Sequence, residues 1–316
     1  MLVQLPDLIS RVLPGVVQID VVGDDGPGNG SGFAIEPNPC DADGGVIVTN
    51  AHVVKGASMI RVRLHDERFV PATLRTSDEV TDVALLRIKS APPVVLGARP
   101  LDEVRLGEPV IAIGSPYGQS GTVTSGIVSG LDRTVCGPSG VPVDNMVETD
   151  ALINPGNSGG PLIGMDGRVI GVNSRIRRND VQGGSSGLGF AVPVETVTWV
   201  YREVSETGTS TVQRSRIGAR LNRRRLTDEE CSRWGRRAGA ILVDTPHEGA
   251  PAAAAGLKRG DVIVAFDAHP VDEPADIYRL LDRSRIGASC EVAFLRDGET
   301  RTTTVVPALR PTTEGD

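Results

Sequence analysis

Residues 154–162 read Asn154-Pro-Gly-Asn-Ser-Gly-Gly-Pro-Leu162, and this stretch says more about the fold than any other part of the chain. It holds Ser158 between glycines, in a region of short β-type runs, which makes that serine a candidate nucleophile. Gly156 and Gly159 leave the backbone free to aim its N–H groups at a developing oxyanion. Because a serine hydroxyl is a weak nucleophile on its own, the stretch requires a base elsewhere in the chain.

Two upstream segments supply a base and an acid. The apolar run Val48-Thr-Asn-Ala-His52 ends in a histidine, and Asp82 opens a second apolar run. The order His52, Asp82, Ser158 is one of the chain orders in which catalytic triads occur. Asp78 is the competing acid, but it lies in a polar turn, so Asp82 is preferred. The other histidines stand in polar or loop segments and are expected to face solvent: His65, His247 and His269.

The composition limits the class of protein. The chain has 316 residues, enough for two domains of about 100–200 residues each. Hydrophobic residues make up 39% but aromatic residues only 3%, so the core must be aliphatic. No apolar run approaches about 18 residues, which excludes a membrane-spanning helix. The first residues lack a charged region followed by an apolar stretch, so no signal peptide is visible. We therefore expect a cytoplasmic protein, or a periplasmic or other extracytoplasmic one if the N-terminus is truncated.

The charge distribution argues against several binding functions. The formal net charge is −7, and the acidic excess falls entirely within residues 1–205. Because a nucleic-acid-binding protein would show a basic domain, that partner is not expected. The short basic run Arg223–Arg225 is interpreted as a solvated face. Gly114–Gly121 lacks the Gly-Lys-Ser/Thr ending of a phosphate loop, so nucleotide binding is not expected either.

The cysteines carry little functional information. None of the four belongs to a CxxC pair: Cys40, Cys136, Cys231 and Cys290. This spacing indicates neither a zinc site nor a disulfide scaffold, so we expect free thiols, no metal and no cofactor. A Cys40–Cys136 bridge is the alternative, and it requires an oxidising compartment.

The chain divides into two regions of different composition. From Val16 to about Val194 it consists of short runs separated by Gly, Pro, Asn and Asp, which is typical of an all-β barrel or sandwich. Val194–Val204 has valines at helical spacing and predicts a helix that closes a first domain of residues 1–205. Residues 206–216 are polar and aperiodic and are interpreted as a linker.

The second region, residues 217–308, reads as a compact α+β module. Thr227-Asp-Glu-Glu230 has the form of a capping box and predicts the start of a short helix. Residues 309–316 are expected to form a disordered tail.

Taken together, the three site segments resemble those of chymotrypsin-fold serine proteases, and more narrowly those of the HtrA/Deg (Do-like) family. Further segments follow that family nearly in register: Leu8–Val22 (LISRVLPGVVQIDVV), Gly114–Gly130 (GSPYGQSGTVTSGIVSG), Thr149–Leu162 (TDALINPGNSGGPL) and Gly187–Pro193 (GLGFAVP). The second module resembles a PDZ domain through Gly249–Val264 (GAPAAAAGLKRGDVIV). The resemblance covers about residues 5–308. It implies a mostly β fold, with a chymotrypsin-like double β-barrel protease domain followed by a small α+β PDZ domain.

The resemblance also implies roles for individual residues. Ser158 would attack the scissile carbonyl, and His52 would take its proton and later give it to the leaving amine, while Asp82 orients His52. The backbone N–H groups of Gly156 and Ser158 would form the oxyanion hole. Ser174 would lie on the strand beside the substrate, and it is also a candidate partner of Asp82.

The S1 pocket, which receives the substrate residue before the scissile bond, is predicted to be small and apolar. Trypsin-type enzymes have a buried Asp six residues before the nucleophile, whereas this chain has Leu152 there, followed by Ile153. An apolar floor offers no partner to a buried cation. With Phe190 behind the same pocket, we expect Val, Ala or Ile as the substrate residue before the scissile bond.

The second module is predicted to bind peptide C-termini. PDZ domains of this type bind the terminal carboxylate in an apolar–Gly–apolar loop beside an edge strand and a helix. The predicted peptide-binding residues are Ile217, Gly218, Ala219, Ile277 and Leu281. Ala219 is smaller than the usual loop residue, and the helix is expected over Asp272–Ser284. The alternative is a module that only packs against the protease.

The resemblance implies an ATP-independent bacterial protease for unfolded or damaged proteins, acting in stress response and protein quality control. Its partners would be unfolded polypeptides and apolar C-termini. A homotrimer is implied, with Leu2–Leu13 either contributing contacts or packing on its own barrel, and with the Thr134–Met146 loop as the regulatory sensor. The alternatives are a peptide-binding chaperone or scaffold with little catalysis, and a non-proteolytic β protein with accidental motifs.

Overall fold

The computed structural model forms two compact units, Met1–Val212 and Gln213–Asp316. It describes residues 4–23, 26–37, 44–90, 92–115, 121–136, 142–174, 187–234 and 239–310. Within these ranges no helix combines the length and the apolarity needed to cross a bilayer.

The first unit begins with a closed six-stranded antiparallel barrel. Its strands are β1 (Val16–Gly23), β2 (Gly26–Ile35), β3 (Gly45–Thr49), β4 (Ala57–Arg63), β5 (Phe69–Asp78) and β6 (Val83–Ile88). They close in the order β1-β2-β3-β6-β5-β4. Every residue of β3 is buried, because this strand pairs with both β2 and β6 and packs on both faces. Closure leaves the sheet without a free edge.

A second closed barrel follows in the same unit. Its strands are β7 (Pro109–Gly114), β8 (Thr122–Cys136), β9 (Pro142–Thr149), β10 (Pro161–Gly164), β11 (Val169–Ser174) and β12 (Gly189–Pro193). They close in the order β10-β11-β12-β9-β8-β7. The two barrels confirm the chymotrypsin-like architecture that the resemblance implies. They also show that short aliphatic strands suffice to build two closed cores with few aromatic residues.

Three helices flank the barrels: α1 (Leu5–Val12), α2 (Ala51–Val54) and α3 (Val194–Thr207). The buried residues Leu8 and Val12 lie one turn apart on α1 and join the main hydrophobic cluster of this unit. The N-terminal segment therefore packs on its own barrel, which was one of the two predicted alternatives. Helix α3 buries Val200 and Val204 in the same cluster, and it ends at Gly208, whose φ of +67° suits a C-terminal cap.

Several segments differ from the sequence-based expectation. Residues 134–136 and 142–146 of the predicted sensor loop belong to the long strands β8 and β9, because the two strands stay paired as far as Cys136 and Pro142. Residues 137–141 lie outside the described ranges. Cys40 also lies outside them, so the Cys40–Cys136 alternative stays a prediction.

The second unit is built on an antiparallel sheet with helices beside it. Its strands are β13 (Ser215–Arg216), β14 (Ala219–Arg225), β15 (Gly239–Pro246), β16 (Val262–Phe266), β17 (His269–Pro270), β18 (Cys290–Arg296), β19 (Glu299–Val305) and β20 (Ala308–Leu309). Its helices are α4 (Asp228–Trp234), α5 (Pro251–Ala254) and α6 (Pro274–Leu280). The main sheet runs β14-β15-β16-β18-β19, so β14 is an edge strand. This is the predicted α+β PDZ architecture.

The start of α4 matches its sequence signal. Thr227 Oγ1 accepts from the N–H of Glu230 at 3.2 Å, and the Glu230 carboxylate accepts from the N–H of Thr227 at 2.9 Å. This reciprocal pair confirms the predicted capping box.

The ends of this unit are more ordered than the sequence suggests. The predicted linker 206–216 contains the last residues of α3 and the strand β13, which pairs with β20. That pairing also places Leu309 in a strand rather than in the predicted tail, while residues 311–316 lie outside the described ranges. The predicted helix Asp272–Ser284 is shorter, because the backbone leaves the helical region at Leu281 (φ −87°, ψ +54°).

A buried ion pair fixes one end of the second sheet. The Arg296 guanidinium donates two hydrogen bonds of 2.7 Å to the Asp261 carboxylate, which is almost fully buried. Asp261 also accepts from the N–H of Lys258 at 2.7 Å. Because the carboxylate has charged and neutral donors around it, burial of its charge is compensated.

Candidate active site

The imidazole of His52 lies against the carboxylate of Asp82. Nδ1 of His52 is 2.8 Å from Oδ1 and 3.0 Å from Oδ2 of Asp82, and the backbone N–H of His52 also donates to Oδ1 at 3.1 Å. His52 stands on the short helix α2, just after strand β3, and Asp82 precedes strand β6. Since β3 and β6 are neighbours in the first barrel, the two side chains meet at the same end of that barrel.

Asp82 is held from several sides. Ser174 Oγ, at the end of β11 in the second barrel, donates to Asp82 Oδ2 at 2.7 Å, and Asn50 Nδ2 donates to the Asp82 carbonyl at 2.9 Å. The residue has a φ of +56°, a conformation that non-glycine residues adopt rarely and that Asp tolerates better than most. Its side chain is 3% exposed. Each oxygen of this buried carboxylate therefore accepts at least one hydrogen bond.

Asp78, the competing acid, does not contact His52. Its carboxylate accepts hydrogen bonds from the hydroxyl and the backbone N–H of Thr81, in the turn between β5 and β6. The geometry therefore pairs Asp82, and not Asp78, with the histidine.

Ser158 follows one tight turn and lies within a second. The N–H of Asn157 donates to the Asn154 carbonyl at 3.0 Å, and the N–H of Gly160 donates to the Asn157 carbonyl at 2.9 Å. Pro155 and Gly156, whose φ is +101°, occupy the central positions of the first turn, as a type II turn requires. Ser158 precedes a second glycine with positive φ, Gly159 at +86°. The glycines at these two positions thus meet a conformational requirement.

These turns leave two neighbouring donors uncommitted. Among the described residues, neither the N–H of Gly156 nor that of Ser158 has an acceptor, whereas the N–H of Asn157 between them closes the first turn. Ser158 itself is 5% exposed. A pair of unsatisfied, sheltered N–H groups is a site for a negatively charged oxygen.

Ser31 of strand β2 ties the serine turn to the first barrel. Its N–H donates to the Ser158 carbonyl at 2.8 Å, and its Oγ donates to the Gly156 carbonyl at 2.5 Å. The same Oγ accepts from the N–H of Ser115 at 2.8 Å. One buried hydroxyl therefore fixes the carbonyl side of the Gly156 turn.

Close packing brings the serine turn next to the histidine segment. A Cβ added to Gly159 would lie 2.3 Å from Thr49 Oγ1 and 3.2 Å from the Asn50 nitrogen. A Cβ added to Gly30 would lie 2.6 Å from the Val53 side chain and 3.3 Å from the Ser158 carbonyl oxygen. No hydrogen bond joins Ser158 to His52 in the described structure, and His52 is bonded to Asp82 alone.

The three predicted S1 residues have different surroundings. Leu152 exposes 46% of its surface. Ile153 packs over Gly189, where an added Cβ would lie 2.8 Å from its side chain. Phe190 belongs to the main cluster of the first unit, whereas Ile153 joins a separate cluster around Leu162. The structure thus brings Ile153 to the start of β12 but does not bring Phe190 into the same apolar cluster.

The predicted peptide-binding residues of the second unit come together. Ile217, Ile277 and Leu281 are buried in one cluster, against which Ala219 also packs. Gly218 has a φ of +68°, and a Cβ there would meet Ala250 at 2.4 Å. The carbonyls of Ile217 and Gly218 accept from backbone N–H groups of their own unit, at 2.8 and 2.9 Å. The loop is therefore anchored through its carbonyl side.

Sequence reasoning missed the polar residues that support the site. Ser31, Thr49 and Asn50 were not singled out, although Asn50 lies two residues before His52. The run Gly28-Asn-Gly-Ser-Gly32 carried a usable signal, since alternate glycines in a strand mark a close backbone approach.

Comparisons with known proteins relate both units to known families. Residues 30–172 match the trypsin-like peptidase domain family, and residues 215–306 match the PDZ domain family. A probable periplasmic serine endoprotease, DegP-like, of Halomonas elongata is 40% identical over 280 residues, which are 87% of this chain and 55% of the relative. Protease Do-like 1, chloroplastic, of Arabidopsis thaliana is 36% identical over 284 residues, 85% of this chain and 61% of the relative. This chain spans about half the length of the DegP-like relative.

A solved structure extends the likeness to the whole chain. The HtrA-type protease AlgW, determined with a tripeptide, matches with a TM-score of 0.83 and 33% identity, over 98% of both chains. The double-barrel unit and the second α+β unit follow each other in the same order as the two family matches. The chain therefore belongs to the HtrA/DegP family of trypsin-like serine proteases with a PDZ domain.

Proposed function

We propose that this protein is an ATP-independent serine endopeptidase that uses Ser158, His52 and Asp82. The observation that carries the proposal is the His52–Asp82 contact of 2.8 Å beside a serine whose turn presents free N–H groups. In this mechanism Nε2 of His52 takes the hydroxyl proton as Ser158 attacks the peptide carbonyl. The Asp82 carboxylate holds the Nδ1 proton and stabilises the imidazolium that forms. Hydrogen bonds of catalytic residues commonly tighten when substrate binds, which accounts for the open Ser158–His52 contact.

The oxyanion of the tetrahedral intermediate would bind the N–H groups of Gly156 and Ser158. Both donors are free among the described residues, and the Ser31 hydrogen bond to the Gly156 carbonyl holds the neighbouring peptide in place. Loss of one such donor typically lowers kcat by about 10²–10³-fold.

Labelling with a fluorophosphonate tests the nucleophile directly. The wild type should be labelled and should degrade casein without ATP, while Ser158→Ala should do neither. Cys231→Ala is the matched control, because it removes a free thiol and leaves every proposed catalytic group in place. A wild type that resists labelling while still binding C-terminal peptides would support the chaperone or scaffold alternative instead.

The substrate residue before the scissile bond is proposed to be small and apolar. Leu152 supports this proposal, because it stands six residues before the serine, where trypsin-type enzymes have an Asp that pairs with a substrate cation. Ile153, which packs over Gly189, adds a second apolar side chain. Digestion of a peptide library should give cleavage after Val, Ala or Ile. Dominant cleavage after Arg would contradict the proposed pocket.

The second unit is proposed to bind apolar C-termini. The terminal carboxylate would accept hydrogen bonds from N–H groups of the loop Ile217-Gly218-Ala219, and the peptide would pair with the free edge of β14 beside α6. Unfolded or damaged proteins are the proposed substrates, since an extended segment is needed both at the active site and at the edge of β14. Casein turnover with and without an apolar C-terminal peptide measures whether this binding activates the protease.

Assembly, location and regulation complete the proposal. A homotrimer is proposed from the family relationship, and light scattering on the purified chain tests it. The relatives with periplasmic names support the extracytoplasmic alternative over the cytoplasmic prediction. A regulatory role is still proposed for residues 134–146, although most of this segment is strand.

A further inference from the structure

We propose that the groove of the second unit selects C-termini that carry acidic side chains upstream of an apolar last residue. This inference rests on the peptide-binding function proposed above for β14 and α6, and it adds the chemistry of the partner. It concerns a strand whose basic run has no role in the catalytic mechanism.

Strand β14 is unusually basic for an edge strand. Its sequence, Ala219-Arg-Leu-Asn-Arg-Arg-Arg225, contains four arginines in seven residues. One side of the strand pairs with β15, and the other side is the end of the sheet. A peptide that adds to this edge places its side chains directly opposite those of β14, about 4.5–5.5 Å away between Cβ atoms. Opposite charges at such positions stabilise the pairing, and like charges destabilise it.

Two of these arginines lie on the side of the proposed groove. Leu221 is buried in the same cluster as Ile277 of α6, so this side chain points toward the helix. Because side chains alternate along a strand, Arg223 and Arg225 follow Leu221 on that side. The position of Arg223 agrees, since its Nη1 lies 3.8 Å from the carboxylate of Glu273, the residue that caps α6.

The two groove-side arginines are available to pair with a charged ligand. The Arg223 side chain is 69% exposed, and its contact with Glu273 is long. Arg225 is exposed and forms no ion pair with any residue in the described ranges. By contrast, Arg224 points to the other face and pairs with Glu230 at 2.8 Å. The positive charge is therefore concentrated where a bound peptide would run.

The geometry assigns positions in the ligand. An antiparallel peptide whose last residue lies opposite Ala219 has its third residue from the end opposite Leu221. Its fifth and seventh residues from the end then lie opposite Arg223 and Arg225. Carboxylates at these two positions complete the charge pairs that the groove offers.

Binding of ten-residue fluorescent peptides to the full-length Ser158→Ala protein, which does not cleave them, tests the inference. All peptides end in the same apolar residues. One has Glu at the fifth and seventh positions from the end, a second has Gln at both, and a third has both Glu residues moved one position. The Glu peptide should bind about threefold to tenfold more tightly than the Gln peptide in 50 mM NaCl. The difference should fall below about twofold in 500 mM NaCl because exposed charges are screened.

Variants distinguish charge pairing in the groove from a nonspecific effect of the protein's net charge. In Arg223→Glu/Arg225→Glu the preference should reverse in favour of the Gln peptide. Arg301→Glu is the matched control, since Arg301 lies on β19 at the opposite edge of the sheet, and it should keep the wild-type ratio. Equal binding of the Glu and Gln peptides to the wild type would overturn the acidic preference. Equal binding of the first and third peptides would overturn the assigned positions.

Peptides with an amidated C-terminus distinguish failure of this inference from failure of the proposed binding of peptide C-termini, on which it rests. If amidation weakens binding while Glu and Gln peptides bind alike, only the inference is wrong. If no peptide binds, or if amidation has no effect, the C-terminal peptide function is wrong and the inference falls with it. Binding of a single-stranded oligonucleotide that is lost in the double variant, with an unchanged peptide ratio, would identify β14 as a nucleic-acid contact and also overturn the inference.

Discussion

The Asp82 carboxylate in the first unit and the arginines on β14 in the second unit are held in opposite ways. The Asp82 carboxylate is buried, and both of its oxygens accept hydrogen bonds of 3.1 Å or less. On β14, the Arg220 and Arg223 side chains are 73% and 69% exposed and their ion pairs are 3.9 and 3.8 Å long. The contrast fits the two proposed roles: the proposed proton transfer requires a fixed geometry, whereas the proposed selection among extended peptides needs only a charge of the right sign within reach.

The strongest challenge to this comparison is a change at Asp82. In Asp82→Asn the amide cannot accept from His52 as a carboxylate does, so the imidazole adopts the wrong tautomer and kcat/KM should fall by about 10⁴-fold. Steady-state cleavage of a chromogenic peptide measures the effect. Asp78→Asn is the control and should retain activity within about tenfold, because the Asp78 carboxylate accepts hydrogen bonds from Thr81 and none from His52 in the described structure. Equal losses in the two variants would show that the fixed geometry at Asp82 is not what matters.

The variant Arg296→Ala tests whether the buried Asp261 carboxylate of the second unit depends on its ion pair with Arg296. Arg296→Ala leaves the Asp261 carboxylate buried without its guanidinium and should lower the free energy of unfolding of this unit by about 2–4 kcal/mol. Trp199 and Trp234 are the only tryptophans and fall in different units, so urea unfolding in a Trp199→Phe background reports on the second unit.

The control for that measurement uses an exposed pair in the same unit. Arg301→Ala removes a 3.2 Å contact with Glu299 on a hairpin, where the change should stay below about 0.5 kcal/mol. If the two variants unfold at the same urea concentration, the Arg296–Asp261 pair does not stabilise the sheet.

A smaller effect is expected at Ser174. Ser174→Ala removes the 2.7 Å hydrogen bond to Asp82 Oδ2 but leaves the His52 contact, so kcat/KM should fall by about tenfold through kcat with little change in KM. Ser174→Thr keeps the hydroxyl and should restore most of the activity. Thr198→Val is a control hydroxyl deletion on α3 and should be silent. No rescue by Thr would assign Ser174 to packing rather than to positioning Asp82.

The smallest effect concerns acid sensitivity of the second unit. The N–H of Thr227, followed by the Arg224 guanidinium, lowers the pKa of Glu230 below its ordinary value of 4.5. A lowered pKa contributes stability above about pH 4.5, and that contribution is lost as the pH falls through the folded-state value. The melting temperature of Glu230→Gln should lie about 2 °C below wild type at pH 7, and the gap should narrow as the pH falls below 4.5. A gap that is constant with pH would refute the role of the charge.

Much of the fold followed from the sequence because short aliphatic runs alternate with Gly, Pro, Asn and Asp. Strand β2 (Gly26–Ile35) does not follow from such a pattern. Its run Gly26-Pro-Gly-Asn-Gly-Ser-Gly32 reads locally as a loop. It is a strand because its glycines allow close approach to Ile47 and Val53, a tertiary reason that no local pattern contains.

The site was predictable in part for the same physical reason. His52, Asp82 and Ser158 were named from residue types and chain order, since few side chains can perform that chemistry. The support from Ser31 could not be named, because its hydrogen bonds with Ser115, Gly156 and Ser158 span 84 to 127 positions in the chain and depend on how two barrels meet.

Ser31 has a consequence for how this enzyme class can be re-engineered. Its backbone and hydroxyl hold Ser158 and Gly156 from across the boundary between the barrels. A chimera that takes one barrel from a relative would therefore keep the proposed nucleophile without its support, unless the barrel that replaces the first one has a hydroxyl at the position of Ser31. The choice of crossover point in such a chimera is thus constrained by Ser31, a residue with no proposed catalytic role.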